Sequence, residues 1–552
     1  MNDKVSVTFE SGKQIVVDYK TKVGDAIKAV EDDISDILAA MVNNEVVSFN
    51  HELVRNSHCN YIKYKSDDGY KIYSRTLKML IYMSLKELME DAKVEFVSTI
   101  NKDQYFTIEN AEITEEFVAS LKNKMIEFIN MDIPIIKKQV TTEEAKVLYE
   151  KSGDISKVAS LKHNLKSMVS MYFCGKYYNY FYGMLAPATS YIKSFDLRKY
   201  KSGILLVLPN DNFDEGYNLS KEPEDTKLYD AFFAFNKLNE VIGVRNVGEL
   251  NDKVINEKIG DVIRSCEAIH DRKIVEIVQE IEKRDSIKMI LIAGPSSSGK
   301  TTFAQKLGVQ LTLTGYRPIT LSMDNYFKER ENTPLDENGK YDFETVDALD
   351  IELFNKQMSS LALGEEVELP EFDFVTGHKK YNGHFLKLEE NDILVIEGIH
   401  ALNPILTEKT NDSQKYKIYI APIDTLDIDD YTKISSTDTR FLRRMVRDYV
   451  TRGHSIEKTF DLWDNVVKGE KKYIFPFVDT ADTIFNSSLI YEPGVIKTFA
   501  QPLLLQVQRE SKYYAQTRRL YEYLNNFLPI ETGPVPNDSI VREFIGNGCF
   551  YR

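Results

Sequence analysis

The sequence predicts a multidomain α/β protein, and three observations carry that expectation. At 552 residues the chain exceeds the reach of one hydrophobic core and implies roughly three or four domains. Over residues 286–497, short wholly apolar runs alternate with helix-period segments, the rhythm of a doubly wound parallel sheet. The first 65 residues show period-two alternation on both sides of one short helical stretch, which describes a small sheet-and-helix unit.

Taken in order, residues 4–10 alternate apolar and polar, Ser11-Gly12 turns the chain, and 13–19 alternate again as the second arm of a hairpin. A helical pattern over 23–30 follows, then strands over 38–42 and 45–49 bracketing Asn43-Asn44. The order strand-strand-helix-strand-strand within 1–65 resembles a β-grasp fold. It is similar to the TGS domains of threonyl-tRNA synthetases, some GTPases and stringent-response enzymes. Residues 66–210 read as mixed α+β, rich in Tyr and Lys, with a turn at Asp67-Asp68-Gly69 and helical spacing of Leu, Met and Ile over 74–92. A TGS-like unit followed by such a segment resembles threonyl-tRNA synthetases, where a second additional domain follows.

Residues 211–285 read as a charged linker over 211–227 with Pro223, a helix over 228–238 and a helical brace or arm over 254–283. Within 286–497, apolar strands are expected at 288–293, 319–323, 393–397, 416–421 and 483–486. Residues 498–552 hold a Tyr- and Arg-rich helix near 506–527 and a tail expected to pack back on the body.

Composition narrows the function classes. A net charge of -15 argues against general affinity for nucleic acid, which needs surplus Lys and Arg, though a local basic face and RNA or ribosome association stay open. The four cysteines, with no C-x-x-C, fit a reduced intracellular protein without a structural zinc ribbon. The first residues lack a basic and an apolar signal-peptide region, and no window of about 18 apolar residues is available to cross a membrane. The expected location is the cytoplasm, with no membrane contact, and a homo-oligomer is compatible with the chain.

Gly294-Pro295-Ser296-Ser297-Ser298-Gly299-Lys300-Thr301-Thr302 matches G-x-x-x-x-G-K-[ST] between an apolar strand and a helix over 302–310. Glycines let backbone N–H groups curl around phosphate oxygens, and the helix N-terminus adds a favourable dipole. Lys300 then reaches the β/γ-phosphates and the Thr301 hydroxyl reaches Mg²⁺, so the chain is expected to bind a nucleoside triphosphate.

Ligands of open parallel sheets gather at strand carboxyl ends. Asp324 follows the strand at 319–323, and Glu397 ends the strand at 393–397. Glu397 fits a magnesium-holding carboxylate, and Asp324 fits a base for an acceptor hydroxyl, the alternative being strand-end turn residues. Arg440, Arg444 and Arg447 share a helical face, joined by Arg443 and Arg452. That face reads either as a phosphate clamp on a mobile lid with Gly453 as hinge, or as a solvated face paired with Asp438 and Asp448.

The phosphate loop resembles that of the uridine kinase and phosphoribulokinase family. So do Ser322-Met323-Asp324-Asn325-Tyr326-Phe327, Ile396-Glu397-Gly398 and Thr437-Asp438-Thr439-Arg440 with Arg443-Arg444-Met445-Val446-Arg447-Asp448. Segments 342–350 and 370–374 are similar to its substrate-side motifs. With the TGS-like and synthetase-like segments, the whole resembles bacterial nucleoside-kinase-like proteins that carry this fused N-terminus. The resemblance implies Asp324 as general base, Lys300 as phosphate ligand, Thr301 and Glu397 for magnesium, and Arg440, Arg444 and Arg447 in the lid. It implies acceptor contacts at Phe327, Glu344, Phe372, His378 and Arg440.

The chain departs from the family at three places. Glu344 stands for the Asp that holds ribose hydroxyls, Phe372 for a Tyr, and Gly377 for a pyrimidine-reading His, with His378 one position on. Editing-site histidines of the synthetases are missing, and Cys174 alone matches that site. The expectation is an ATP-dependent kinase acting on a hydroxyl of a nucleoside or related sugar-like molecule. A nucleotide-gated regulator or RNA-associated protein is the alternative, although no N/T-K-x-D guanine motif follows the loop.

Overall fold

The structure, a computed structural model, describes residues 4–550 except 90, 101–102, 164–165, 210–226, 228–236, 338, 375 and 424–425. The linker expected over 211–227 and most of the helix over 228–238 lie outside the described residues.

Lys4–Phe9, Gln14–Asp18, Ile37–Val42, Glu45–Val47 and Ser57–Lys63 form one sheet in the spatial order second, first, fifth, third, fourth. The helix Val23–Lys28 buries Val23, Ala26 and Ile27 against Val5, Val7 and Ala40. The last strand was not expected from sequence. Its inward side chains begin with Ser57 and Cys59, so its alternation is weak in hydrophobicity although clear in burial.

The turn expected at 67–69 is instead the first turn of a helix, Asp67–Leu88. Ser66 caps it by accepting a hydrogen bond from the Gly69 N–H, and Asp67 and Asp68 favour the positive helix end. Gly69 is needed there because a Cβ would lie 1.9 Å from the Lys63 carbonyl oxygen. This helix packs with Glu115–Asn130 and the sheet that contains Lys93–Ile100 and Asp103–Glu109. The excursion Asp427–Asp429/Thr432–Lys433 enters the same body. Its Tyr431 is buried against Tyr82, Phe96 and Phe181, and the Asp430 carbonyl accepts from the Phe96 N–H at 3.0 Å.

Among the described residues, five parallel strands form the C-terminal sheet. Their order is Arg317–Ser322, Asp392–Glu397, Met289–Ala293, Lys415–Ala421, Thr483–Asn486. Both faces are covered, as wholly apolar strands require. Ile290, Ile292 and Val395 face one core, and Met289, Leu291 and Leu394 face the other.

The helix Ile259–Glu282, expected as a brace or arm outside 286–497, is a layer of this unit. Ile263, Ile274, Ile277 and Ile281 recur at helical spacing and bury against the sheet's Ile290 and Ile418. The helix expected near 506–527 is present but shorter, at Tyr514–Leu524. Glu492–Leu504 and Tyr514–Leu524 are separate helices joined by turns, and both pack on this core. Among the described residues no helix is long and apolar enough to cross a membrane.

Candidate active site

The phosphate loop leaves the buried strand Met289–Ala293 and enters the helix Lys300–Leu313. A Cβ at Gly294 would lie 2.0 Å from the Ile420 carbonyl oxygen, so only glycine allows that approach. Ser297 (φ 61) and Gly299 (φ 90) are left-handed and fold the loop over the helix N-terminus. The Ser298 hydroxyl is buried inside the loop without a hydrogen-bond partner. Lys300 Nζ donates to the carbonyls of Gly294 at 2.9 Å and Pro295 at 3.2 Å. Burial holds its ammonium below the ordinary lysine range, opposed by the carboxylates of Glu397, Glu543 and Asp324.

Strand register brings those carboxylates to the loop. Glu397 pairs with Ile292 on one side and Ser322 on the other, and Asp324 lies just beyond Ser322, whose hydroxyl accepts from the Asp324 N–H at 3.4 Å. Burial pushes Glu397 up to about 7, with Lys300 opposing. Asp324 opens onto the cleft on one side and is enclosed by protein on the others. That enclosure raises its carboxyl above the usual range, against Lys300, Arg452 and Arg447. Thr301 and Glu397 supply hard oxygen donors, the set that suits magnesium, which keeps waters and phosphate oxygens as its other ligands.

The helix Ser436–Arg452, expected as a mobile lid, packs behind the phosphate loop. Phe441, Leu442, Met445 and Val446 anchor it in the core, and Gly453 (φ 62) is its left-handed C-cap. Its arginines grip the loop from behind. Arg440 is 3% exposed, pairs with Glu470 through both guanidinium ends, and reaches the Ser296 carbonyl at 3.4 Å. Arg443 is fully buried, holds Glu492 at 2.5 and 2.6 Å, and donates to the carbonyls of Ser297 and Ser298. Arg444 donates to the Ser296 hydroxyl at 2.9 Å, and Arg447 to that of Ser297 at 3.2 Å. Of the acids expected to neutralise this face, Asp448 binds Arg444 and Arg452, whereas Asp438 binds Arg519.

Among the residues expected to meet the acceptor, Phe327 and Phe372 form one aromatic wall with Phe374, with ring centroids 5.2 to 6.2 Å apart. Glu344 packs on the helix Ile456–Tyr473 at Gly469, where a Cβ would lie 2.5 Å from the Glu344 Cβ. Burial raises Glu344 to about 7, with Arg444 opposing and Glu470, Asp342 and Asp324 adding to the rise. His378 is not gathered into this wall: it is exposed on the ribbon Glu371–Asp373/His378–Lys380 and engaged by Glu329 at 2.6 Å. Gly377 (φ 80) abuts Arg330, whose Cβ would lie 2.8 Å from an added Cβ, so no larger side chain fits at that position.

Two carboxylates of the site escape sequence reasoning. Glu470 accepts from Arg440 and from the Ser296 N–H at 3.2 Å. A signal existed: Ile456, Phe460, Trp463 and Val466 form the buried stripe of their helix, and Glu470 continues it as an acid. Glu543 accepts from the Thr302 hydroxyl at 2.9 Å, from its N–H at 3.4 Å and from Arg447 at 3.4 Å. It lies in the terminal turn Arg542–Ile545, and the preceding Ile540 seats on Gly299, at 2.5 Å from where a Cβ would be. No motif announces it.

The profile described as the phosphoribulokinase / uridine kinase family matches residues 289–489. The uridine kinase of Staphylococcus haemolyticus (strain JCSC1435) is 32% identical over 197 residues, which is 36% of this chain and 86% of its own. That of Borrelia duttonii (strain Ly) is 30% identical over 237 residues, which is 41% of this chain and all of its own. The solved structure of a possible uridine kinase from Bacillus stearothermophilus aligns with a TM-score of 0.22 and 19% identity, over 36% of this chain and 89% of that one.

Proposed function

Because the chain belongs to the phosphoribulokinase / uridine kinase family through residues 289–489, we propose that it is an ATP-dependent kinase of a nucleoside or related sugar-like hydroxyl. The observation that carries this reading is the convergence of Asp324 and Glu397 on Lys300 at the mouth of the phosphate loop.

In this reading the loop N–H groups and Lys300 Nζ, released from the Gly294 and Pro295 carbonyls, hold phosphate oxygens. Thr301 and Glu397 hold magnesium, which when bound neutralises charge on the transferred phosphoryl. Asp324 accepts the proton of the acceptor hydroxyl at its cleft-facing oxygen. Its raised affinity for a proton suits a base, and Lys300 and Arg447 keep it available as the anion. Arg444 and Arg447 keep the loop in its curled form, and Arg440 acts on the loop through Glu470. Phe327 and Phe372 offer a stacking wall, and Glu344 faces the acceptor's hydroxyls with oxygens one methylene further out than an aspartate.

The finer assignments follow the same reading. The sheet order of the first five strands, with one helix across it, supports a TGS-like β-grasp domain over 1–65. Residues 66–210 serve as a synthetase-like regulatory module rather than an editing centre, since Cys174 is buried in the core and its thiol is pushed up to about 12. The enzyme works in the cytoplasm.

The test is kcat/KM for uridine, cytidine, purine nucleosides and ribulose 5-phosphate with ATP, alongside the Lys300→Ala variant. The proposal expects transfer to at least one of them, dependent on Lys300, without a strong preference for uridine, because Phe372 and Gly377 offer no pyrimidine hydrogen bond. A preference for uridine above about 10⁴-fold, the range reached by polar readout, refutes this account of the pocket. No transfer to any of them refutes the kinase reading.

A further inference from the structure

A large cavity lies away from the phosphate loop. It holds about 670 Å³, within the range of small-molecule sites. Three parts of the chain wall it: the N-terminal strand Glu45–Val47, the α+β body, and the C-terminal helix Tyr514–Leu524.

Its charge is opposite to that of the chain. Arg75, Lys137, Lys157, Lys166, Arg518 and Arg519 line it, against the carboxylates of Glu45, Asp68 and Glu522, in a chain of net charge -15. Three of these cations are neutralised: Arg518 by Glu45 at 3.2 Å, Lys166 by Glu522 at 2.5 Å, and Arg519 by Asp438 at 2.7 Å. Lys157 is held by the Asn179 carbonyl oxygen and sits 4.1 Å over the Tyr431 ring. Arg75 and Lys137 have no carboxylate within 4.0 Å among the described residues.

Arg75 is the more telling of the two. Its guanidinium has five N–H donors, and one of them meets the Met184 carbonyl at 3.2 Å. Gly183 (φ 114) permits this placement, because a Cβ there would lie 2.5 Å from the guanidinium. The side chain is half-buried, and the surface it keeps opens into the cavity. Burial pulls Arg75 down to about 10, which leaves it a cation near neutral pH. Tyr180 and Tyr182 add aromatic surface to the cavity.

We infer that this cavity is a second ligand site, built for a phosphorylated small molecule with a ring-bearing remainder, such as a nucleoside monophosphate. Arg75 and Lys137 take the phosphoryl oxygens, and the tyrosines flank the ring. A guanidinium with unused donors suits a phosphoryl group because it presents them in a planar fork. The site does not depend on the phosphate loop, since none of its lining residues belongs to 294–302.

The test uses the full chain carrying Lys300→Ala, which silences the loop, titrated calorimetrically with inorganic phosphate, AMP and UMP. The expected result is binding of at least one nucleotide with Kd below about 1 mM, the scale of about 4 kcal/mol. Arg75→Met or Lys137→Glu should then weaken it about tenfold or more, the worth of one charged hydrogen bond. Lys137 is exposed, so Lys137→Glu leaves the fold intact and decides the matter if Arg75→Met does not fold. Absence of nucleotide binding, or binding unchanged in the folded variants, overturns the inference. So does binding of a short RNA by a chain that binds neither mononucleotide.

Discussion

Replacing Arg440 by Met should destabilise the phosphate-loop unit by about 3–5 kcal/mol, the cost of breaking a buried pair and leaving its partner charged. The structure sets that scale. The side chains of Arg440 and Glu470 are 4% and 1% exposed, and without the arginine the Glu470 carboxylate still accepts from the Ser296 N–H of the loop at 3.2 Å. Against a typical domain stability of about 5–15 kcal/mol the loss is large. The double variant Arg440→Met/Glu470→Leu should recover most of it, because apolar replacement of a whole buried pair is often neutral or better. Its phosphoryl transfer should stay impaired, since the Ser296 N–H has lost its anchor. The chain's single tryptophan, Trp463, has the Arg440 guanidinium 5.5 Å over its ring, so its fluorescence in urea reports on this locus. A cost below about 1 kcal/mol, the worth of an exposed ion pair, refutes the reasoning. Near-normal stability with turnover lost by about 10² or more returns Arg440 to direct work on the transferred phosphoryl.

Other outcomes follow from the same geometry. Asp324→Asn should keep ATP affinity and lose turnover by about 10² or more, as removal of a general base does; near-normal turnover sends the proton elsewhere. Glu543→Gln should tighten ATP binding by about 3- to 10-fold, because a negative charge at the helix N-terminus competes with phosphate there; calorimetry showing unchanged or weaker binding rejects that competition. His270 is buried beside Phe485, and burial holds its imidazole down at about 3. The unfolded chain takes up that proton near pH 6.5 and the folded one does not. Stability therefore falls as pH drops below about 6.5, by up to about 1.4 kcal/mol per pH unit from this group. His270→Gln should flatten the slope of the urea midpoint between pH 7 and pH 5, and an identical slope in the variant counts against it.

What could be read from the sequence tracks the range of the interactions. Gly294 to Thr302 form a contiguous motif, and Asp324 and Glu397 stand at strand ends that a parallel sheet must gather on one edge. Their positions along the chain thus imply their meeting in space. The arginine helix could be read as a charged helix, but its partners could not. Glu470 lies 30 positions from Arg440, Glu492 lies 49 from Arg443, and Glu543 lies 96 from Arg447. Periodicity reports which face of a helix is buried and is silent about what covers it, which is how Ile259–Glu282 reads as an arm although it is a layer of the sheet's core. The helix at Asp67–Leu88 was hidden by its own cap, since Ser66, Asp67, Asp68 and Gly69 suit a turn as well as a helix start.

The contact of Ile540 and Glu543 with the phosphate loop has a consequence in time. Thr302 and Glu543 are 241 positions apart. At synthesis rates of about 5–20 residues per second that interval is roughly 10–50 s. Throughout it, a nascent chain presents its loop with Gly299 uncovered and Thr302 without the carboxylate. Completion of the nucleotide loop therefore waits until residue 543 has been made, and a chain cut short before residue 540 carries the loop without either contact.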